Sequence, residues 1–417
     1  MTEKIRTTVL SIGQCKDSPR IWIEGRYLEQ AGFYRGSKIN VQFQQSQILI
    51  SLDNQGEKII SGKKTPIIDL NNQKIKESFN EDKSVRVVVY VGQIIITRTK
   101  QSQRKQLRLQ DHSCGSIFSG AGLLDQAVKK SGYETKWGIE LNEDYANMWQ
   151  ANHKGTMHNS SIEQIDYSEL DQVELLVGGI PCEPFSIARR NQGNEMYEEH
   201  QNADLSMFFL MIVEAVNPRT IVLEEVPAYL KSGIGTATLN ALKRMGYFVH
   251  TKTVSGLEHG ELTVRKRAVI VATSDPDYKF PESTESKRTL GEILLDPNDS
   301  RCEWFTRETK SWLFDHWETQ KAKGNNFNSQ IITSDSTQIQ AITKRYFAQQ
   351  GSNPVVKHPT IPDTYRWLTL DEVKLIMGLD QSYDLGETKT LAGEALGQGV
   401  LVNVFKKIFD SLREISS

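Results

Sequence analysis

From residue 113 onward the chain alternates short apolar runs with segments whose apolar positions recur at helical spacing. "CGSIFSG" precedes the helical "LLDQAVKKSG", and "YETKWGIEL" precedes "NEDYANMWQANHK". "ELLVGGIP", "MFFLMIVEAVN", "RTIVLEEV", "GTATLNALKRMG", "YFVHTKTV" and "KRAVIVATS" follow in the same rhythm. A strand buried on both faces shows no polar alternation, so such runs between amphipathic segments predict an α/β fold with a doubly wound parallel sheet. Ligands bind these sheets beyond the carboxyl ends of the strands, which makes the residues directly after each run the informative ones. The rhythm lapses between Asp275 and Thr360, which sets residues 275–360 apart from a sheet domain over 111–274.

Residues 1–98 read differently. Pro19–Leu52 can be laid over Pro66–Arg98, with Phe33 on Phe79, Ile39 on Val85, Val41 on Val87 and Ile48 on Ile94, an offset of 46 in each pair. Each half reads as a short strand, a polar helical turn and two strands joined by a tight turn. Such a half exposes sheet edges, so the two copies are expected to interlock into one small β-rich barrel. Between the two regions, "RTKQSQRKQLR" (Arg98–Arg108) carries five basic residues and no acid. Without apolar periodicity it predicts an exposed linker over 99–110, either a solvated tether or an arm that contacts phosphates.

Composition narrows the classes. A net charge of −2 and a 38% apolar fraction fit a globular chain and argue against one that coats nucleic acid by charge alone. No run approaches the roughly 18 apolar residues of a membrane span. The opening "MTEKIRTTVL" lacks the apolar core of a secretion signal. The four cysteines, Cys15, Cys114, Cys182 and Cys302, have no metal-ligand spacing or regular pairing. A reducing cytoplasm and no bound metal are the expectations, and a lone thiol there is either inert or a nucleophile.

Four strand ends carry candidate chemistry. After the first run, Phe118, Gly120, Ala121 and Gly122 of "FSGAG" let backbone amides approach a polar cofactor closely. The second ends in Glu140 and Leu141, where an acid grips ribose hydroxyls. Glycines followed by an acid, without a six-residue dinucleotide fingerprint, favour S-adenosylmethionine over NAD. The third delivers Pro181 and Cys182 in "VGGIPCEPFSIARR", and the fourth delivers Glu224 and Glu225. Arg265 and Arg267 of "TVRKR" stand two apart, on the same side of a later strand as it begins. A nucleophile, an acid, two cations and an electrophile donor suit attack on an aromatic ring followed by methyl transfer.

In order along the chain, these motifs resemble those of the DNA cytosine-5 methyltransferases. "FSGAG", "GIELN", "GGIPCEPFS", "LEEVPAYL", "TVRKR", "RWLTLDEVKLIMGL" and "GQGVLVNVFKKI" look like seven of the family's motifs. "KRYFAQQGSNPVVKHP" and "LGQGV" look most like an orphan branch carried by phages and integrating elements. The resemblance implies a Rossmann-like methyltransferase sheet with 275–360 as an inserted target recognition domain and 361–417 returning to complete the catalytic domain. It also implies S-adenosylmethionine held by Phe118, Gly120, Ala121, Gly122, Glu140, Leu141, Ser161, Ile162, Pro181, Met207, Gln398 and Val400. The resemblance further implies double-stranded DNA as the substrate, with a cytosine flipped into the site, and the residue roles that follow. Cys182 attacks carbon 6, Glu224 supports protonation at N3, Arg267 holds the base carbonyl, and Arg265 holds a phosphate or the loop. Ser186, Arg189, Arg190 and Gln192 lie on the loop that closes over the base.

Departures from the family pattern fall around these positions: Ser116 and Leu123 in the first motif, Ser161 for an Asp, Glu225 for an Asn, Thr263 for a Gln and Gln398 for an Asn. Glu225 adds a like charge beside Glu224, which should raise one of the two pKa values. The first N-terminal half resembles the SymE-type toxins and, through them, the AbrB-like swapped-hairpin fold. The expected assembly is a monomer on DNA in the cytoplasm, with a dimer through the N-terminal domain as the alternative. Two other readings stand beside this one: a transfer RNA cytosine methyltransferase, and a DNA-binding regulator or toxin-antitoxin component with a weak methyltransferase domain.

Overall fold

In a computed structural model, the structure describes residues 3–416 apart from 17, 81, 107–111, 182–203, 284–287 and 325–330. It divides into two compact units, residues 1–107 and 108–417.

The larger unit is built on a seven-stranded sheet: β1 (Ser113–Ile117), β2 (Glu134–Glu140), β3 (Thr156–Asn159), β4 (Leu175–Gly179), β5 (Thr220–Glu225), β6 (Phe248–Ser255) and β7 (Lys266–Thr273). Their order across the sheet is β3-β2-β1-β4-β5-β7-β6. Neighbours from β3 to β5 pair in parallel, while β7 runs antiparallel to both β5 and β6. The expected all-parallel sheet is therefore mixed, with one reversed strand. Helices α1 (Leu123–Lys130), α2 (Glu143–Asn152), α3 (Leu205–Val216) and α4 (Gly233–Arg244) follow β1, β2, β4 and β5. Two apolar clusters flank the sheet, one around Val177, Val222 and Val269 and the other around Ile117, Leu176 and Ile221. Successive residues of one strand thus feed opposite cores, which is why the strands read as unbroken apolar runs.

The segment after β7 builds a small sheet in the order Phe305–Thr306, Thr364–Arg366, Val355–Lys357, Ile331–Ile332, beside α5 (Ser311–Ala322). The strand Thr364–Arg366 extends this sheet past Thr360. Of the three tryptophans between residues 275 and 360, Trp317 is buried, Trp304 is partly buried under Arg366, and Trp312 is exposed. The chain then returns through α6 (Leu370–Ile376), α7 (Lys389–Gln398) and α8 (Val402–Ser416), the last packing on α1.

The N-terminal unit holds two antiparallel sheets. One runs Lys4–Ser11, Ser84–Tyr90, Gln93–Arg98, Gln47–Leu52, Lys38–Gln44, Lys58–Ile59; the other runs Gly13–Cys15, Ser18–Glu24, Ile67–Asn71. Matching strands of the two copies pair with each other: Ile48 lies opposite Ile96, Ile50 opposite Ile94, and Ile23 opposite Ile68. The edge that each half would leave bare is satisfied by its copy. Phe33 and Phe79 are fully buried in the shared core.

The basic stretch after residue 98 differs from the expected linker. Lys100–Gln106 is a helix, Arg98 lies 3.1 Å from Asp82 in a buried ion pair, and Arg104 is buried. Guanidiniums carry long apolar stems, and an acid on a neighbouring element allows one to be buried.

The most concentrated polar node joins the small sheet to α6. Both oxygens of the fully buried Glu372 accept from Arg366, at 2.7 Å each, and they also accept the Leu295 and Thr369 amides at 2.8 Å. Removing one partner of a buried pair strands the other charge. Glu372→Gln is expected to lower the unfolding free energy of this unit by about 3–5 kcal/mol in urea titrations. Asp371→Asn, which breaks an exposed pair with Arg301, should cost less than about 1 kcal/mol. Equal losses would contradict this assignment.

Candidate active site at the carboxyl edge of the sheet

Register places the ends of the parallel strands along one edge. Ile117 lies beside Ile139 and Gly178, Glu140 beside Asn159, and Gly179 beside Glu224. The β1–α1 turn is built from left-handed backbone, with φ of 52° at Phe118, 53° at Gly120 and 82° at Gly122. At Gly122 a side chain would meet His153 Nε2 at 2.6 Å and the Tyr383 hydroxyl at 2.8 Å, so only glycine fits. At Gly120 a Cβ would meet nothing within 4 Å; that side of the turn is open.

Glu140 fastens the second strand end to this turn. One carboxylate oxygen accepts the Gly120 amide and the other the Asn142 amide, both at 2.8 Å. Burial raises its pKa, and the Asn142 and Gly120 N–H groups pull it back. Asn159 donates to the Glu140 and Leu141 carbonyl oxygens, which ties in the end of β3. Leu141 is left 71% exposed at the rim. Ser161 is half-buried just past β3, and Ile162 packs into the core. An open glycine turn, a fixed carboxylate about 20 residues on and an exposed apolar rim fit the adenosine and amino-acid parts of S-adenosylmethionine.

The remaining cofactor candidates come from further along the chain. Pro181 is half-buried after β4, and Met207 is exposed on the first turn of α3. Gln398 is exposed at the end of α7, and Val400 is buried. Gly399 sits so close to Leu123 that a Cβ would overlap it, which returns the closing motif to the start of α1.

Three residues missed in the sequence support the turn. Tyr383 donates to the Ala121 carbonyl oxygen at 2.8 Å, and His153 Nε2 lies 3.2 Å from both the Gly122 carbonyl oxygen and the Tyr383 hydroxyl. Burial, with Lys129 nearby, holds the His153 imidazole down at about 4, so it is neutral at physiological pH. Ser116 donates to the buried Asp125 at 2.9 Å, and burial pushes that carboxyl up to about 6. Asp125 lies nine residues beyond Ser116, on the inner side of α1; only the Ser116 departure hinted at a changed polar contact there.

At the next strand end the two adjacent acids part. Glu224 forms an ion pair with Arg267, and both are largely shielded from solvent. Glu225 points into the core at 1% exposure, where one oxygen accepts the Val226 amide at 3.2 Å and the other has no partner among the described residues. Burial first, then the charge of Glu224, pushes its carboxyl well above the ordinary range. The raised pKa thus falls on Glu225.

The two arginines part as well. Arg267 belongs to β7, whereas Arg265 precedes it and does not follow the pleat. Its buried guanidinium donates to the Ile342 carbonyl oxygen at 3.2 Å and to that of Gly397 at 2.9 Å. Thr263 bridges to Ile339 nearby, and Gly397 lies against the backbone of Thr343 and Lys344. Arg265 therefore knots the start of β7 to the end of the inserted segment and to the closing motif. Cys182, Ser186, Arg189, Arg190 and Gln192 lie outside the described residues. Strand β4, which leads to them, ends at Gly179, where a Cβ would stand 3.0 Å from a Glu224 carboxylate oxygen.

Comparisons with known proteins agree with this geometry. The family model for C-5 cytosine-specific DNA methylase matches residues 112–414 and leaves the N-terminal unit outside. The type II methyltransferase M.MspI of Moraxella sp is 22% identical over 348 residues, covering 82% of this chain and 78% of the relative. M.NlaX of Neisseria lactamica is 25% identical over 311 residues, covering 71% of this chain and 95% of the relative. Among solved structures, Entamoeba histolytica methyltransferase EhMeth shares the fold at a TM-score of 0.60 and 16% identity, covering 73% of this chain and 98% of its own. S. pombe Dnmt2 methyltransferase does so at 0.58 and 17%. With well over half its length matched in motif order, the chain belongs to the C-5 cytosine-specific DNA methylase family and is an S-adenosylmethionine-dependent DNA (cytosine-5)-methyltransferase.

Proposed function

We propose that the chain methylates carbon 5 of a cytosine flipped out of duplex DNA, through a covalent bond to Cys182. The observation that carries this reading is the Glu224–Arg267 pair, set at the carboxyl edge beside the strand that leads to Cys182. Extrusion of the base costs a few kcal/mol of stacking and pairing, which the closing loop with Ser186, Arg189, Arg190 and Gln192 offsets. The Cys182 thiolate adds to carbon 6, and the ring becomes nucleophilic at carbon 5. Glu224 holds a proton at N3 as that charge develops, while Arg267 holds the ring carbonyl and keeps the carboxylate in place. S-adenosylmethionine, when bound, supplies an electrophilic methyl group. Removal of the carbon 5 proton by a base then releases Cys182 as the carbon 6–sulfur bond breaks. Arg265 acts by tying the start of β7 to the inserted segment and the closing motif rather than by holding a phosphate, and the twelve cofactor candidates named above hold the cofactor.

Glu225 stands where the family carries an amide. Burial favours the protonated form of Glu225, and a protonated carboxyl can donate one hydrogen bond, as an amide does and a carboxylate does not. The swap is therefore compatible with catalysis. We also read residues 19–98 as the SymE/AbrB-like swapped hairpin, supported by the pairing of matching strands, and the sequence features of an orphan mobile-element branch as real.

Cys182→Ser is expected to abolish methyl transfer with fold and cofactor binding retained. The wild-type chain should form a denaturation-resistant adduct with 5-fluorocytosine DNA, because fluorine blocks the last elimination. Trapping by the Ser variant would refute the nucleophile. Glu224→Gln should keep DNA binding and lose most turnover, as read by initial rates at saturating DNA.

Glu225 yields a pH-dependent outcome. Its unfolded pKa is about 4.3, and its folded pKa is well above that. As pH rises through this window the unfolded state gives up the proton first, so the contribution of Glu225 to stability falls. Glu225→Asn should remain active, and its melting temperature should gain on the wild type as pH rises from 5 to 8. A difference that does not vary with pH would place Glu225 outside the buried site.

A further inference from the structure

Charge is divided unevenly between the two units. Residues 1–107 hold 18 Lys and Arg against 10 Asp and Glu, a net +8, whereas residues 108–417 hold 32 against 42, a net −10. A chain whose substrate is a polyanion thus carries its positive excess outside the unit that performs the chemistry.

Within the N-terminal unit part of this excess gathers at one corner. The offset of 46 lays Tyr34, Arg35, Gly36, Ser37 and Lys38 over Asn80, Glu81, Asp82, Lys83 and Ser84. In the second copy Asp82 is neutralised from within by Arg98, and the following strand, Ser84–Tyr90, is covered along its outer edge by Lys4–Ser11. In the first copy the matching strand, Lys38–Gln44, meets the two-residue strand Lys58–Ile59 at its outer edge. A turn then brings Lys63 and Lys64 to the same corner, where Arg35 donates to the Lys63 carbonyl oxygen at 2.6 Å and the Gly36 amide to that of Ile60 at 2.9 Å.

Arg35, Lys38, Lys63 and Lys64 are exposed there, and no carboxylate pairs with any of them among the described residues. Tyr34 and Ile59 stand 58% exposed beside them. The acids nearby are Asp53, whose carboxylate accepts the Gln55 amide, Glu57, and Glu24, whose carboxylate accepts the Thr65 hydroxyl beside Lys64. With Lys58, five cations against these three acids leave the corner positive, while in its duplicate the strand edge is covered and Asp82 is paired. Duplicated halves start alike, so the difference marks a surface specialised in one copy.

We propose that the corner formed by Tyr34–Lys38 and Lys63–Lys64 grips the phosphate backbone of the DNA on which the enzyme acts, raising affinity without reading sequence. The proposal rests on duplex DNA being the substrate. Lysine and arginine on phosphates release counterions, so each contact steepens the dependence of log affinity on log salt by about 0.9. Contacts of this kind position the protein and carry no base information.

The test uses the full-length protein with Lys38→Gln, Lys63→Gln and Lys64→Gln, with and without Arg35→Gln. The control changes Lys16, Lys74, Lys76 and Lys83 to Gln, which removes the same charge from exposed sites elsewhere in the unit. Binding to a fluorescein-labelled duplex is titrated over a range of KCl concentrations, with melting temperatures recorded for every variant. The four corner changes should flatten the salt slope by about 3–4 and leave the methylated sequence unchanged, while the control moves the slope by less than about one. A wild-type slope in the corner variants, an equal loss in the control, or a corner that favours single-stranded RNA over the duplex would overturn the proposal. Methylation by the wild-type preparation is assayed in parallel, so that absence of the enzyme activity itself is distinguished from failure of the corner.

Discussion

The antiparallel course of β7 is the constraint on which the site depends. Parallel strands all end at the carboxyl edge, so they can offer it only the residues that follow them. Reversing one strand brings residues that precede it to the same edge. The register sets Glu224 opposite Val269 and Glu225 opposite Ala268, leaving Arg267 one step further on, within reach of Glu224. Arg265, just outside the strand, is free of the pleat and ties down the returning segments. A cation beside the acid and a knot behind it thus follow from the direction of a single strand.

Environment then separates two chemically identical neighbours. Glu224 stands at the carboxyl edge and is charge-paired; Glu225 faces the core, where desolvation favours the neutral acid. The alternation of side chains along a strand is enough to send them to opposite sides. The same economy appears at the cofactor turn. There the left-handed backbone of the glycine stretch creates the opening, and Glu140, Tyr383 and His153 hold it from three separate segments.

Much of this was legible before any coordinates. Strand and helix lengths, the strand-end positions of Phe118, Glu140 and Glu224, and the paired halves of the N-terminal unit all follow from local periodicity and an internal repeat. The direction of β7 was not legible, because a strand's apolar pattern reads the same both ways and the loop before it carries no directional signal. His153 and Tyr383 were missed because their partnership spans 230 residues, and neither stands in a recognisable spacing. Arg98 and Arg104 were read as solvent-exposed from a run of like charge. The partner of Arg98, Asp82, is supplied by the fold from outside that run.

The central claim is chemical: this chain places a methyl group on carbon 5 of cytosine in DNA. Bisulfite sequencing of DNA from cells expressing the full chain, against cells carrying an empty vector, measures that product directly. The account predicts cytosines newly protected from conversion, concentrated in one short sequence context. Conversion as complete as in the control, from cells shown to contain the folded protein, would contradict it.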